Sequence, residues 1–201
     1  LIQHILQRSG QRSILCGNVG RSFARMAAQE KADHWVLEIS SFQLDGMFDF
    51  KADIAVLLNI TPDHLDRYEG SFDAYAASKM RIVQNQGPSD ALIYNADDEA
   101  ILERLDHLTG TPQRYPFSLL HRPVENGAWV DSKGEDWLRN ELKINIKSQT
   151  IAMTLESLAL QGRHNIYNSM AAGIAARILD IRKENIKDCL SDFSNIEHRL
   201  E

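Results

Sequence analysis

Trp35-Val36-Leu37-Glu38-Ile39-Ser40-Ser41-Phe42-Gln43-Leu44 sets a carboxylate at the end of an apolar run and follows it with two hydroxyls. A run of this kind reads as a buried strand, and a buried carboxylate must be paired, protonated or bound to a cation. Two similar runs flank it, Ile14-Leu15-Cys16 before and Ile54-Ala55-Val56-Leu57-Leu58 after, with a helical segment at about 21–31 between the first two. Gly46-Met47-Phe48-Asp49-Phe50 joins the last two. Continuous apolar runs alternating with helices read as parallel strands covered on both faces.

Further out, a helix is expected at about 72–84, a fourth strand at Ala91-Leu92-Ile93-Tyr94 and a helix at about 98–108. From about 113 to 160 the runs shorten: Tyr115-Pro116-Phe117, Ala128-Trp129-Val130, Asp136-Trp137-Leu138, and Ile151 to Leu160. The turns Glu125-Asn126-Gly127 and Ser132-Lys133-Gly134 favour hairpins. Helices at about 165–180 and 183–193 close the chain, the first with Ile166, Met170, Ile174 and Ile178 on one face. The expected fold is α/β, a mostly parallel sheet flanked by helices with a small antiparallel β extension at about 113–160.

Ligands of open parallel sheets bind outside the carboxyl ends of the strands, and here those ends are polar. The first strand delivers Gly17-Asn18-Val19-Gly20, where Asn18 is either a helix N-cap or a ligand contact. The second delivers Glu38, in a structural ion pair or on Mg²⁺. The third delivers Asn59-Ile60-Thr61-Pro62-Asp63-His64-Leu65-Asp66-Arg67-Tyr68, more chemical variety than a solvated loop needs, with His64 either a site residue or a bystander. Lys79 falls in the helical stripe of Phe72, Tyr75, Ala76 and Val83, which aims its amine at the core side. Desolvation favours a neutral amine, the form that adds CO₂ to give a carbamate; a snorkelling or ion-paired lysine is the alternative. Asn165, in Leu160-Gln161-Gly162-Arg163-His164-Asn165, either caps the following helix or reads a purine edge.

Composition excludes several classes. The 201 residues carry a net charge of −6 and 43% hydrophobic content, enough for a real core and without the basic surface that duplex nucleic acid requires. No run reaches the ~20 apolar residues of a membrane span and no cleavable signal is present, so a soluble, cytoplasmic protein is expected. Cys16 and Cys189 lack metal or disulfide spacing and read as small core residues. The opening helical pattern of Ile2, Ile5 and Leu6, closed by Ser9-Gly10 without an initiator Met, reads as cut from a longer chain. No Gly-Lys pair occurs, so these residues hold no phosphate loop of the G-x-x-x-x-G-K-[ST] form.

Taken together, Gly17–Gly20, Leu37–Leu44, Asn59–Tyr68, Ser78-Lys79-Met80-Arg81-Ile82, Asn95-Ala96-Asp97-Asp98, Gly162–Asn165 and His198-Arg199-Leu200-Glu201 resemble the Mur ligase family, in collinear order over nearly the whole chain. The weakest stretch is about 107–158, and Arg163 replaces a glutamine frequent in the family. The Glu38–Leu44 form is similar to the family's D-glutamate-adding branch.

The resemblance implies that residues 1–201 are the central, P-loop NTPase-like ATPase domain, lacking its P-loop, with the N-terminal UDP-binding and C-terminal domains absent. It implies ATP and Mg²⁺ as cofactors: Glu38 on the Mg²⁺ that bridges ATP phosphates, His64 and a carbamylated Lys79 at a second Mg²⁺. Gly17 and Asn18 would contact the muramoyl substrate, Asn165 the adenine and Arg199 the region of the ribose. The implied reaction activates UDP-N-acetylmuramoyl-L-alanine as an acyl phosphate, which the D-glutamate amine attacks, in peptidoglycan precursor synthesis. Without the phosphate loop the isolated chain is expected to be inactive. The rival expectations are a non-catalytic nucleotide- or sugar-binding relic and another ligase of the superfamily, such as a folylpolyglutamate synthetase.

Overall fold

The structure is a computed structural model that describes residues 1–18, 20–123 and 125–193. It divides into two compact units, one spanning Ser13–Tyr115 and the other Leu1–Arg12 with Pro116–Glu201.

In the Ser13–Tyr115 unit the expected strands form and pair two by two. β1 (Ser13–Gly17) lies parallel to β2 (His34–Glu38), with Gly17 opposite Glu38. β3 (Ile54–Leu57) lies parallel to β4 (Ala91–Asn95), with Ile54 opposite Ala91. The two pairs belong to separate sheets. Only β4 meets the expectation of a strand buried along its whole length; β2 is half-buried throughout and Leu15 of β1 is 44% exposed. The core gathers around β3 and β4: Ala55, Leu57, Leu92 and Tyr94 pack with Tyr75, Ala76, Met80 and Val83 from the helix region that follows. The starts of β3 and β4 are tied by Lys51, whose ammonium lies 2.8 Å from Asp90 Oδ1. The Gly87 N–H, and after it the Lys51 ammonium, hold the Asp90 carboxyl below the usual carboxylate range.

The helices of this unit are shorter than expected. α2 spans Phe23–Gln29, α3 Ser41–Asp45, α4 Phe72–Met80 and α5 Glu99–Leu102; 3₁₀ turns follow α4 at Arg81–Val83 and α5 at Leu105–His107. α3 starts sharply after β2 because Ser40 and Gln43 form a reciprocal capping box, Ser40 Oγ accepting from Gln43 N–H and Gln43 Oε1 accepting from Ser40 N–H.

In the other unit α1 (Ile2–Arg8), α6 (Arg163–Ile178) and α7 (Lys183–Asp192) accompany the β extension. β5 (Gln113–Ser118) crosses the division between the units, and its last residues pair with β6 (Gly127–Asp131) in parallel, Phe117 opposite Ala128. The Glu125-Asn126-Gly127 turn therefore closes no hairpin, a correction to the sequence reading. Gly127 is needed there, because a Cβ would lie 2.2 Å from the Pro116 carbonyl oxygen.

β7 (Glu141–Ile146) and β8 (Gln149–Thr154) complete an antiparallel ladder with β6. Asp136-Trp137-Leu138 is not a strand; Trp137–Arg139 is a 3₁₀ turn. The buried face of β7, formed by Leu142, Ile144 and Ile146, meets α6 at Gly173, where a Cβ would sit 2.3 Å from Ile144 Cδ1. Cys16 and Cys189 are both buried and free, as the sequence suggests, and burial pushes both thiols up. No helix among the described residues is long and apolar enough to cross a membrane.

Candidate functional site

The carboxyl ends of β1 and β2, the loop after β3 and one side of α4 open onto one cleft of about 280 Å³ within the Ser13–Tyr115 unit, lined by Asn18, Glu38, Ser40, Asp63, His64 and Lys79 among others. Four segments far apart in sequence thus contribute amide, carboxylate, hydroxyl, imidazole and amine.

Gly17 adopts φ +120° opposite Glu38, and a Cβ on it would stand 2.3 Å from the Glu38 carbonyl oxygen. Asn18 N–H then donates to that same oxygen at 2.6 Å, which sets the Asn18 side chain at the cleft edge. Asn18 is not the cap of α2, whose N-cap residue is Ser22.

His64 sits in the left-handed region at φ 49°, ψ 31°, a conformation costly for a non-glycine residue and concentrated at functional sites. Asp63 supports it on both sides: Oδ1 accepts from the His64 N–H at 2.8 Å and Oδ2 lies 3.4 Å from Nε2. The Phe42 ring lies 5.4 Å from the imidazole and takes the Arg67 guanidinium on its face at 4.5 Å. The tight turn Leu65–Tyr68 follows.

Of the expected stripe, Tyr75 and Ala76 on α4 and Val83 in the 3₁₀ turn after it are buried, while Phe72 is half-buried. Lys79 departs from the expectation in that its amine does not point into the core. The residue is half-buried, and Nζ lies 5.2 Å from the Tyr75 ring centroid at the cleft wall.

Among the described residues the one trio of His, Cys, Asp or Glu whose donor atoms close to within 4.8 Å is His4, Cys189 and Asp192, away from the cleft residues in sequence and already served by Arg8, 2.9 Å from Asp192. Glu38, Asp63 and His64 line one cleft without closing that far. An oxygen-rich donor set of this openness fits Mg²⁺, which keeps water and phosphate oxygens among its ligands, better than an all-protein cage metal. A larger hollow of about 370 Å³ lies in the other unit around Trp129, Asp131, Lys143 and Asn145. Its polar groups pair with one another, Trp129 Nε1 with Asp131 and Thr150 Oγ1 with Asn145, and no reactive set converges there.

Two sequence-derived candidates lie elsewhere. Asn165 is the third residue of α6, whose N-cap is Gly162 at φ 92°; it is therefore no cap, and its Nδ2 donates back to the Gln161 carbonyl at 2.8 Å. Arg199 lies outside the described residues. Tyr68, Ser78 and Arg81, which the sequence presents only as parts of motifs, have polar groups that join the segments lining the cleft.

The chain can be set beside known proteins. The Mur ligase middle domain model matches residues 2–176. The UDP-N-acetylmuramoylalanine–D-glutamate ligase of Bacteroides fragilis is 46% identical over 203 residues, and that of Christiangramia forsetii 44% over 201 residues; each match takes in 100% of this chain and 43% of the relative. The chain thus spans less than half the length of these curated relatives. Among solved structures, a UDP-N-acetylmuramoyl-L-alanyl-D-glutamate–2,6-diaminopimelate ligase aligns with a TM-score of 0.74 at 21% identity, covering 100% of this chain and 45% of that one. MurF from Acinetobacter baumannii aligns at 0.72 and 17%, covering 100% and 44%. At such identities these two speak for the fold alone, while the family model and the curated relatives speak for descent: the chain belongs to the Mur ligase middle-domain family.

Proposed function

We propose that this chain is the catalytic middle of an ATP-dependent ligase that adds D-glutamate to UDP-N-acetylmuramoyl-L-alanine, a cytoplasmic step of peptidoglycan precursor synthesis. The observation that carries the proposal is the meeting of Asn18, Glu38, Asp63, His64 and Lys79 in one cleft, in a chain 44–46% identical to relatives named for that activity.

Glu38 would hold one Mg²⁺, and His64, together with Lys79 as its carbamate, would hold a second. Bound Mg²⁺ would supply neutralisation of phosphate charge during transfer. Asn18, fixed by the Gly17–Glu38 contact, positions the muramoyl substrate so that its L-alanyl carboxylate meets the ATP γ-phosphate; the resulting acyl phosphate is attacked by the D-glutamate amine. Asn165 and Arg199 hold adenine and ribose. Because these residues hold no Gly-Lys phosphate loop, the 201 residues alone are inactive.

The test is ADP release by the protein encoded by the whole gene that carries this sequence, given ATP, Mg²⁺ and UDP-N-acetylmuramoyl-L-alanine. Release that requires D-glutamate, and that Lys79→Ala abolishes until a short carboxylate such as acetate restores it, is the expected result. Release indifferent to D-glutamate, or a Lys79→Ala variant of normal activity, would overturn the substrate and the lysine assignment respectively.

A further inference from the structure

We propose that Tyr68 is a positioning residue, which sets the segments bearing Glu38, His64 and Lys79 in their mutual arrangement. This rests on the reading of the cleft given above. Tyr68 ends the turn that His64 begins. Its Oη lies 3.0 Å from Asp45 Oδ2 at the end of α3 and 3.2 Å from Ser78 Oγ, the neighbour of Lys79 on α4. Ser78 Oγ in turn donates to the Ser41 carbonyl at 2.9 Å, and both serines are buried. One hydroxyl therefore touches all three segments, while the Tyr68 ring stacks on Phe42 at 6.1 Å and meets Tyr75 edge-on at 5.5 Å.

The contact with Ser78 begins a ladder. Ser78, Arg81 and Gln84 donate to the carbonyls of Ser41, Leu44 and Met47, each pair 37 residues apart. The ladder fixes how α4 lies along α3, and α3 is capped by Ser40 directly after Glu38. Tyr68 adds the third segment to this pair.

The hydrogens of the set make the role testable. With Asp45 as a carboxylate, two hydrogens, those of Tyr68 and Ser78, serve three contacts, so one contact lacks a proton at any instant. Asp45→Asn supplies a third hydrogen: the amide donates to Tyr68 Oη, Tyr68 to Ser78, and Ser78 to Ser41.

The experiment compares Tyr68→Phe, Ser78→Ala, Asp45→Ala and Asp45→Asn in the whole-gene protein. Tyr68→Phe keeps the ring contacts and removes the hydroxyl. The expected result is a fall in kcat of about ten- to a hundredfold with KM for ATP within about twofold and an unchanged thermal midpoint, since misplacement far smaller than unfolding disturbs chemistry before binding. Tyr68→Phe combined with Ser78→Ala loses no more than the worse single variant, and Asp45→Asn restores what Asp45→Ala loses. A kcat equal to that of the parent, or a loss that tracks the thermal midpoint, overturns the proposal.

A second measurement stands apart from turnover. The side-chain NMR resonances of His64 and Lys79 move together in Tyr68→Phe and stay in place in a Tyr167→Phe control. If they stay in place in both, Tyr68 positions nothing, whatever reaction the protein performs. If they move while no D-glutamate-dependent ADP forms in the parent, the proposed function has failed and the positioning role has not.

Discussion

β1–β2 and β3–β4 are both short parallel pairs of apolar strands in one unit, yet they are held by different forces. Around β3 and β4 the side chains are enclosed, with Ala55, Leu92 and Ile93 fully buried, and an ion pair joins the strand starts. β1 and β2 keep half-buried faces, and their register is held where Gly17, having no Cβ, leaves room for the Glu38 carbonyl and Asn18 bonds to it. The pair with the smaller apolar contribution bears Asn18 and Glu38. Polar groups at the ends of β1 and β2 are placed by backbone fit, whereas the β3–β4 pair supplies the anchoring core.

Leu92→Ala should break the β3–β4 side most strongly, lowering stability by about 2–5 kcal/mol in urea unfolding, while Leu15→Ala, on an exposed position of β1, should change it by about 0.5 kcal/mol or less. Equal losses at the two positions would erase the distinction. Gly17→Ala should cost less than Leu92→Ala in global stability, about 2 kcal/mol, from positive φ and a backbone clash. It should also shift the amide resonances of Asn18 and Glu38, which Leu92→Ala should leave nearer their native positions.

The smallest effect expected is that of pH at Asp90. Its folded carboxyl is held below the ordinary value by the Gly87 N–H and Lys51, so the folded state binds fewer protons than the unfolded state in that range. The stabilisation is full above the unfolded carboxylate value and is lost as pH falls through the folded one. Thermal midpoints of Asp90→Asn should therefore lie below those of the parent near neutrality and converge with them in acid.

The sequence carries the strand pattern of the Ser13–Tyr115 unit openly, because long apolar runs ending in polar clusters have few other uses. The cleft residues Asn18, Glu38, His64 and Lys79 were legible for the same reason: each follows a strand or interrupts a stripe. β7 was not anticipated: the alternation of Leu142, Ile144 and Ile146 is broken by Glu141, Lys143 and Asn145 and hides among loops unless that period is sought.

The β7–β8 turn gives less warning. Lys147 and Ser148 both take positive φ, at 51° and 60°, positions where glycine or asparagine is expected. Asn126 Oδ1 accepts from the Lys147 N–H at 2.9 Å, a support from twenty-one residues away that local propensity does not register. The parallel pairing of β5 with β6 is equally non-local, and so are the bonds that Ser78, Arg81 and Gln84 send to a distant backbone. Lys79 shows the remaining limit: periodicity places a Cα on a face and says little about where four methylenes carry the charge.

The constant offset of 37 between Ser78, Arg81 and Gln84 and their three carbonyl partners bears on how this segment can drift over generations. Lengthening the connection between the two teeth-bearing stretches changes the offset equally for every tooth and leaves the match intact. One residue gained or lost inside either stretch puts the later teeth out of step at a stroke. Insertions and deletions should therefore accumulate in the intervening connections and be purged from 41–47 and 78–84, a record that related genes would keep even where the individual side chains have been exchanged.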